Sequence, residues 1–198
     1  MSLIAKNAKL GDGCLYVQNA DHAKNANSEA IFNGKNVQWV NFKRDLCIKE
    51  GYTVSSMSKT YSGYKKDYSL VGFRTRVHPT LTEFYKMPRI EVIKSLTKLD
   101  LILWYLDDGS WHKNKHFMHL YCNDLNNDEF KALGDKIESL YGIRPRERQD
   151  RKKDGRSYPY YYLQVALARK FKRDVGRFLK WLELESLYYK VGWGNFND

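Results

Sequence analysis

The chain has 198 residues, 42% of them hydrophobic and 15% aromatic, which suffices for one domain or two small ones and argues against disorder. Its net charge of +11 runs through the whole body, with 15 basic against 8 acidic residues before Leu96 and 19 against 15 from there on. That spread excludes a simple basic tail and points to a polyanionic partner, nucleic acid ahead of a membrane surface, with general solubility as the plainer reading. The three cysteines, Cys14, Cys47 and Cys122, form no close pair, so neither a disulfide framework nor a zinc ribbon is expected. No apolar run nears the ~20 residues of a membrane span, and no apolar signal region opens the chain. The expected location is intracellular, in the cytoplasm or nucleoid of a microbial host or in an organelle.

In chain order, a first helix from Leu3 ends at Gly11-Asp12-Gly13. A strand over Cys14 to Gln18 follows, then a polar loop over Asn19 to Ser28, a strand over Glu29 to Asn33 and a turn at Gly34. Trp39, Phe42 and Leu46 at helical spacing predict a helix from Asn36 to Glu50, ended by Gly51. Strands near Thr53 to Thr60 and Lys66 to His78 flank a Ser62-Gly63 turn, Pro79 starts a short helix through Tyr85, and Pro88 to Ser95 reads as a linker. The order then repeats. A helix over Leu99 to Leu106 ends at Asp107-Asp108-Gly109, and strands follow at Ser110 to Lys113 and His116 to Asn123. Phe130, Leu133, Ile137 and Leu140 make an apolar stripe on a helix over Asn127 to Tyr141, with acids in its first turn and Gly142 at its end. A basic strand from Arg144 turns at Asp154-Gly155 and returns over Ser157 to Ala168, and a last helix runs from Arg169 to Tyr189. Each half therefore reads as helix, two strands, helix, two strands and closing helix.

Asp12 and Asp108 stand 96 residues apart, each at the end of the first helix of its half. At ~100° per residue, Ile4, Ala5, Ala8, Gly11 and Asp12 share one small, apolar arc, while Lys6, Asn7 and Lys9 fall outside it. The second helix is apolar almost all round. Close packing of two such helices would bring the two carboxylates together, where their repulsion calls for a cation. Oxygen donors select a hard metal such as magnesium. Either motif alone reads equally as an ordinary acid in a helix-ending glycine turn; the repeated element order sets the pair apart.

The run Leu96-Thr97-Lys98-Leu99-Asp100-Leu101-Ile102-Leu103-Trp104-Tyr105-Leu106-Asp107-Asp108-Gly109-Ser110 resembles the second motif of the two-motif LAGLIDADG homing endonucleases. Gly11-Asp12-Gly13 is similar to their first, although Lys6, Asn7 and Lys9 stand where apolar or small residues are usual. His78-Pro79, Phe84-Tyr85 and Leu187-Tyr188-Tyr189-Lys190-Val191 extend the likeness over nearly the whole chain. The resemblance implies an α+β fold of two pseudo-symmetric αββαββα domains, 1–95 and 96–198, with antiparallel saddle-shaped sheets and the motif helices packed between them. It implies hydrolysis of both strands of a long, asymmetric duplex site by a monomer, leaving short 3′ overhangs. A non-cleaving maturase or DNA-binding regulator is the alternative.

By that resemblance Asp12 and Asp108 bind Mg2+, with Mn2+ or Ca2+ able to substitute for binding. Gly11 and Asp107 adjoin the ion, and Asp107 also reads as the cap of its turn. Lys35 and Asn123 occupy places where the family often carries a catalytic polar or basic residue; a solvated turn or a helix cap is the other reading of each. Strand alternation puts Val71, Phe73, Thr75 and Val77 on a core face, with Arg74, Arg76 and His78 on the opposite face. It turns Tyr161, Leu163, Val165 and Leu167 inward, and Tyr160, Tyr162 and Gln164 outward. The segment from Arg144 to Arg156, with Arg146, Arg148, Lys152 and Lys153, is strongly basic, and Lys65 and Lys66 fit phosphate contacts. His112, His116 and His119 have no cysteine at metal spacing, so they read as residues of the strand face.

Overall fold

A computed structural model describes residues 2–11, 13–17, 28–61, 69–112, 117–122, 124–151 and 157–193. The chain divides into two compact units, Met1–Pro88 and Arg89–Asp198.

The first unit runs α1 (Leu3–Leu10), β1 (Gly13–Val17), β2 (Ser28–Gly34), α2 (Val37–Lys49), β3 (Ser58–Tyr61), β4 (Ser69–Arg74) and α3 (Pro79–Lys86). Its antiparallel strands lie in the order β1-β2-β4-β3. Ala30, Phe32 and Phe73 line the core face, where Phe32 and Phe73 stack at 5.2 Å. Asn36 caps α2 by accepting from the Trp39 amide at 3.0 Å, and Gly51 leaves the helix at φ +88°. The buried stripe of α2 is Trp39, Val40, Lys43 and Cys47, rotated from the expected Trp39, Phe42 and Leu46. Lys43 is buried because its ammonium sits 5.5 Å from the centre of the Phe32 ring and 5.3 Å from that of Trp39.

The second unit runs α4 (Arg89–Lys94), α5 (Lys98–Asp108), β5 (Gly109–His112), β6 (Phe117–Tyr121), α6 (Asn127–Tyr141), β7 (Arg146–Arg151), β8 (Ser157–Leu163), α7 (Val165–Trp181) and a 3-10 helix, Glu185–Val191. Its strand order, β5-β6-β8-β7, is the topology of the first unit repeated. Met118, Leu120, Tyr161 and Leu163 form the buried face of the sheet. Both units thus carry the αββαββα order, in two antiparallel sheets.

Several elements differ from the sequence reading. The expected linker contains α4, whose Val92 and Ile93 are buried and which packs against α6. The strand expected over Thr53 to Thr60 begins only at Ser58, leaving Val54 in an isolated bridge to Thr75. The strand expected from Arg144 begins at Arg146. The return strand stops at Leu163, and Val165 and Leu167 belong to α7. Helix wins there because Leu167, Ala168, Phe171, Val175 and Phe178 bury a continuous helical face that the short alternating segment could not. The last helix ends at Trp181, and the chain closes in the 3-10 segment.

Candidate functional site

Helix α5 starts on a capping box. Thr97 Oγ1 accepts from the Asp100 amide at 3.3 Å, while Asp100 Oδ2 accepts from the Thr97 amide and hydroxyl, both at 2.6 Å. Leu101 through Leu106 are all buried, so the helix cannot rotate without exposing apolar surface. Asp107 and Asp108 emerge half-buried at its end.

That end is tied down by a residue far along the chain. Lys190, only 8% exposed, donates from Nζ to the Gly109 carbonyl at 2.7 Å and the Asp107 carbonyl at 3.2 Å. In return the buried Tyr105 hydroxyl donates to the Lys190 carbonyl at 2.7 Å. The ammonium satisfies carbonyls that a helix end leaves open and complements the negative end of the helix dipole. The Tyr105 ring lies against Gly109, where any Cβ would collide with it. Cys122, fully buried beyond the end of β6, has its thiol pushed above the ordinary range by burial first and by the nearby Asp108 carboxylate second. The acid therefore sits at the junction of α5 and the β5-β6 strands.

In the first unit, α1 buries Ile4, Ala5 and Ala8 as its small arc requires, but also Lys6 and Asn7, which the arc left outside. The helix packs against β1, β2, α2 and α3, leaving little of its circumference to solvent. Lys9 supports it by donating to the carbonyls of Phe84, Tyr85 and Met87 at 2.6, 2.9 and 2.6 Å, which caps α3. Ser2 and the amides of Leu3 and Ile4 donate to the Glu50 carboxylate, anchoring the start of α1. Gly11 ends α1 with its amide donating to the Asn7 carbonyl at 2.8 Å. Asp12 lies outside the described residues. Among the described residues, no three His, Cys, Asp or Glu side chains are grouped to hold a metal. The donors present at the end of α5 are hard carboxylate oxygens, which suit magnesium or calcium rather than a soft metal.

The open faces of the sheets hold part of the expected contact set. Arg74 is exposed on β4 with its guanidinium 3.7 Å from the buried Glu29 carboxylate. Arg76 is exposed beyond the strand end, its amide donating to the Thr53 carbonyl. His78 is instead the cap of α3: Nδ1 accepts from the Thr80 amide at 3.3 Å and the ring packs edge-on against Tyr52. Lys35 is exposed in the turn between β2 and α2. In the second unit, Arg146 pairs across from Tyr162 and Arg148 from Tyr160, so all four share the open face. Arg144 is turned toward α6, where it pairs with Asp135 and Glu138, and those carboxylates raise its pKa further. Gln164 precedes α7 and donates to the Arg144 carbonyl at 2.9 Å. Lys65, Lys66, Asn123, Lys152, Lys153 and Arg156 lie outside the described residues.

The sequence reading missed the Lys190 clamp, which no local pattern announces. It also left out Phe117 and Tyr121, although their alternation with Met118 and Leu120 marks them for the open face.

The family model for the LAGLIDADG DNA endonuclease family matches residues 9–171. The chain belongs to that family. Among solved structures, the homing endonuclease I-WcaI bound to its DNA recognition sequence matches with a TM-score of 0.68 at 15% identity, covering 98% of this chain and 86% of the other. I-DmoI in complex with DNA and Ca matches with a TM-score of 0.56 at 14% identity, over 88% and 91%. Full-length DUF199/WhiA from Thermatoga maritima matches at 0.51 and 9% identity, over 94% and 67%. These likenesses establish a shared LAGLIDADG fold. No curated protein matches the chain in sequence at a significant level. Among the described residues, no helix is long and apolar enough to cross a membrane.

Proposed function

We propose that this LAGLIDADG protein is a metal-dependent, site-specific endonuclease that cuts both strands of duplex DNA as a monomer, leaving short 3′ overhangs. The observation that carries this reading is the end of α5, where Asp108 emerges half-buried from a helix held by the Lys190 clamp. It sits in a unit whose sheet presents arginines and aromatic rings. Asp12 takes the matching place in the first motif. Asp12 and Asp108 would hold Mg2+, or Mn2+ or Ca2+ in its place, with Gly11 and Asp107 adjoining. Such an ion, when bound, supplies an acidified water and neutralises phosphate charge. The protein's part is to fix one carboxylate for each strand and to seat the duplex. Lys35 serves to stabilise developing charge and Asn123 to hold a water. The halves 1–95 and 96–198 each take one half of a long asymmetric site, through Arg74 and Arg76 in the first and Arg146, Arg148, Tyr160 and Tyr162 in the second. An intracellular location, in a microbial cytoplasm or nucleoid or in an organelle, goes with this activity.

Selection of cleaved duplexes from a randomised library with Mg2+ tests the reading. Asp12→Asn or Asp108→Asn is expected to abolish double-strand cutting and to spare duplex binding. Undiminished cleavage by either variant removes that acid from the mechanism. The likeness to WhiA supports a second reading, a DNA-binding regulator or maturase on this scaffold that does not cut. Tight, selective binding by the wild type with no cleavage under Mg2+ or Mn2+ would establish it.

A further inference from the structure

The open face of the second sheet carries a continuous group of rings. His112 stacks on Phe117 at 4.7 Å, and Phe117 on His119 at 4.9 Å. Tyr162 lies 4.7 Å from Phe117, Tyr160 lies 4.5 Å from His119, and Tyr121 lies 5.8 Å from Tyr160. All six are half-buried, while Arg146 and Arg148 are exposed on the edge strand beside them. The corresponding face of the first sheet has no such group among the described residues: its residues include Glu29, Ile31, Asn33, Gly72 and Arg74, and the Phe32–Phe73 stack lies in the core.

The way the rings are packed restricts what they can meet. Several turn their flat faces to one another, at 25° and 30° between planes for the two stacked pairs. The faces that His112, Phe117 and His119 turn to one another are closed to an unpaired base. Burial, reinforced by His112, holds His119 down to about 4 against the pull of Asp150, so its ring is neutral at neutral pH. His119 in the middle of the group is therefore uncharged, its neighbours Phe117, Tyr160 and Tyr162 offer largely apolar surface, and the cations Arg146 and Arg148 stand on the edge strand. In the major groove, the apolar feature that distinguishes one base from the others is the thymine C5-methyl group, whereas guanine calls for arginine or lysine.

We propose that this ring surface binds a thymine-rich half of the duplex site, packing the rims of Phe117, Tyr160 and Tyr162 against thymine methyl groups while Arg146 and Arg148 hold the DNA at the margin. The proposal rests on the duplex-binding reading above and adds the base preference of one half. The full-length protein is first used to select bound duplexes from a randomised library. The thymines of each half of the selected site are then replaced by deoxyuridine, which removes only the methyl group. One half is expected to be thymine-rich, and each buried methyl lost there to lower affinity about three-fold, with less than a two-fold effect in the other half. Phe117→Ala, or Phe117→Leu if the first variant melts early, should reduce that sensitivity, while Tyr160→Phe and Tyr162→Phe should preserve it. A selected site without thymine enrichment, or equal deoxyuridine effects in both halves, overturns the proposal. So does preferential binding of a single-stranded oligonucleotide, which would assign the rings to base stacking. Failure to bind any duplex would instead overturn the endonuclease reading on which the proposal stands.

Discussion

Replacing Lys190 by Met keeps most of the side-chain stem and removes the ammonium that closes α5. In the native protein Lys190 is 8% exposed, and its ammonium donates to two carbonyls, at 2.7 and 3.2 Å. Losing hydrogen bonds from a charged donor and leaving their acceptors buried costs about 2–3 kcal/mol. Loss of the favourable charge at the helix end adds about 0.5–1 kcal/mol. The variant no longer has to desolvate an ammonium, which offsets about 1 kcal/mol. A net loss of about 1.5–3 kcal/mol is expected, read as a lower urea midpoint with unchanged slope. For a chain of this size it corresponds to a melting point about 3–12 °C lower. Tyr105→Phe removes the reciprocal bond to the Lys190 carbonyl. Its effect should be non-additive with Lys190→Met, because both act on one clamp. Lys94→Met is the control, since among the described residues Lys94 forms an exposed pair with Glu91, and its loss should change stability by less than about 0.5 kcal/mol. A Lys190→Met protein as stable as that control would refute the clamp.

Two further outcomes follow from packing and titration. An added methyl at Gly134 would lie 2.5 Å from the Tyr161 hydroxyl, which donates to the Phe130 carbonyl at 2.6 Å. Gly134→Ala should therefore destabilise by about 1–3 kcal/mol despite its better helix propensity. In urea melts, the Gly134→Ala/Tyr161→Phe pair should recover part of that loss, and no recovery would show that the hydroxyl is not the obstacle. His119 sits among His112, Phe117, Tyr121, Tyr160 and Tyr162, with a pKa of about 4 against about 6.5 unfolded. Folding disfavours its charged form, so its contribution is complete above pH 6.5 and is lost as the pH falls toward 4. For a partly solvated ring the loss is about 1–2 kcal/mol. His119→Gln should flatten stability in that window, and an unchanged pH profile would reject the assignment.

Much of the architecture was legible because it is written in local signals. In α6, Asn126 and Glu129 form the capping box, Leu133 and Ile137 the buried stripe, and Gly142 the left-handed stop at φ +70°, and all are visible within one window of sequence. The alternation of Tyr160, Tyr161 and Tyr162 separated the open face from the core in the same way. The same alternation failed at Val165 and Leu167, where the pattern suits either a strand or a helix and the buried face of α7 decided. Lys43 was unreadable because its burial depends on Phe32 and Trp39 closing over it. Arg144 looked like part of the basic strand, but Asp135 and Glu138 draw it toward α6.

The amino-acid sequence by itself determined the repeated order of helices and strands, the ends of α1 and α5 at Gly11 and Gly109, and the faces of β4 and β8. Capping, turn chemistry and side-chain periodicity act over a few residues, and they are the same wherever the segment is placed. Only the tertiary structure decided that Lys190 closes the helix of Asp108, 81 residues before it as counted from Gly109, and that six rings from three strands merge into one surface. Those contacts exist only after the chain has closed long loops, so their energy belongs to no segment read alone.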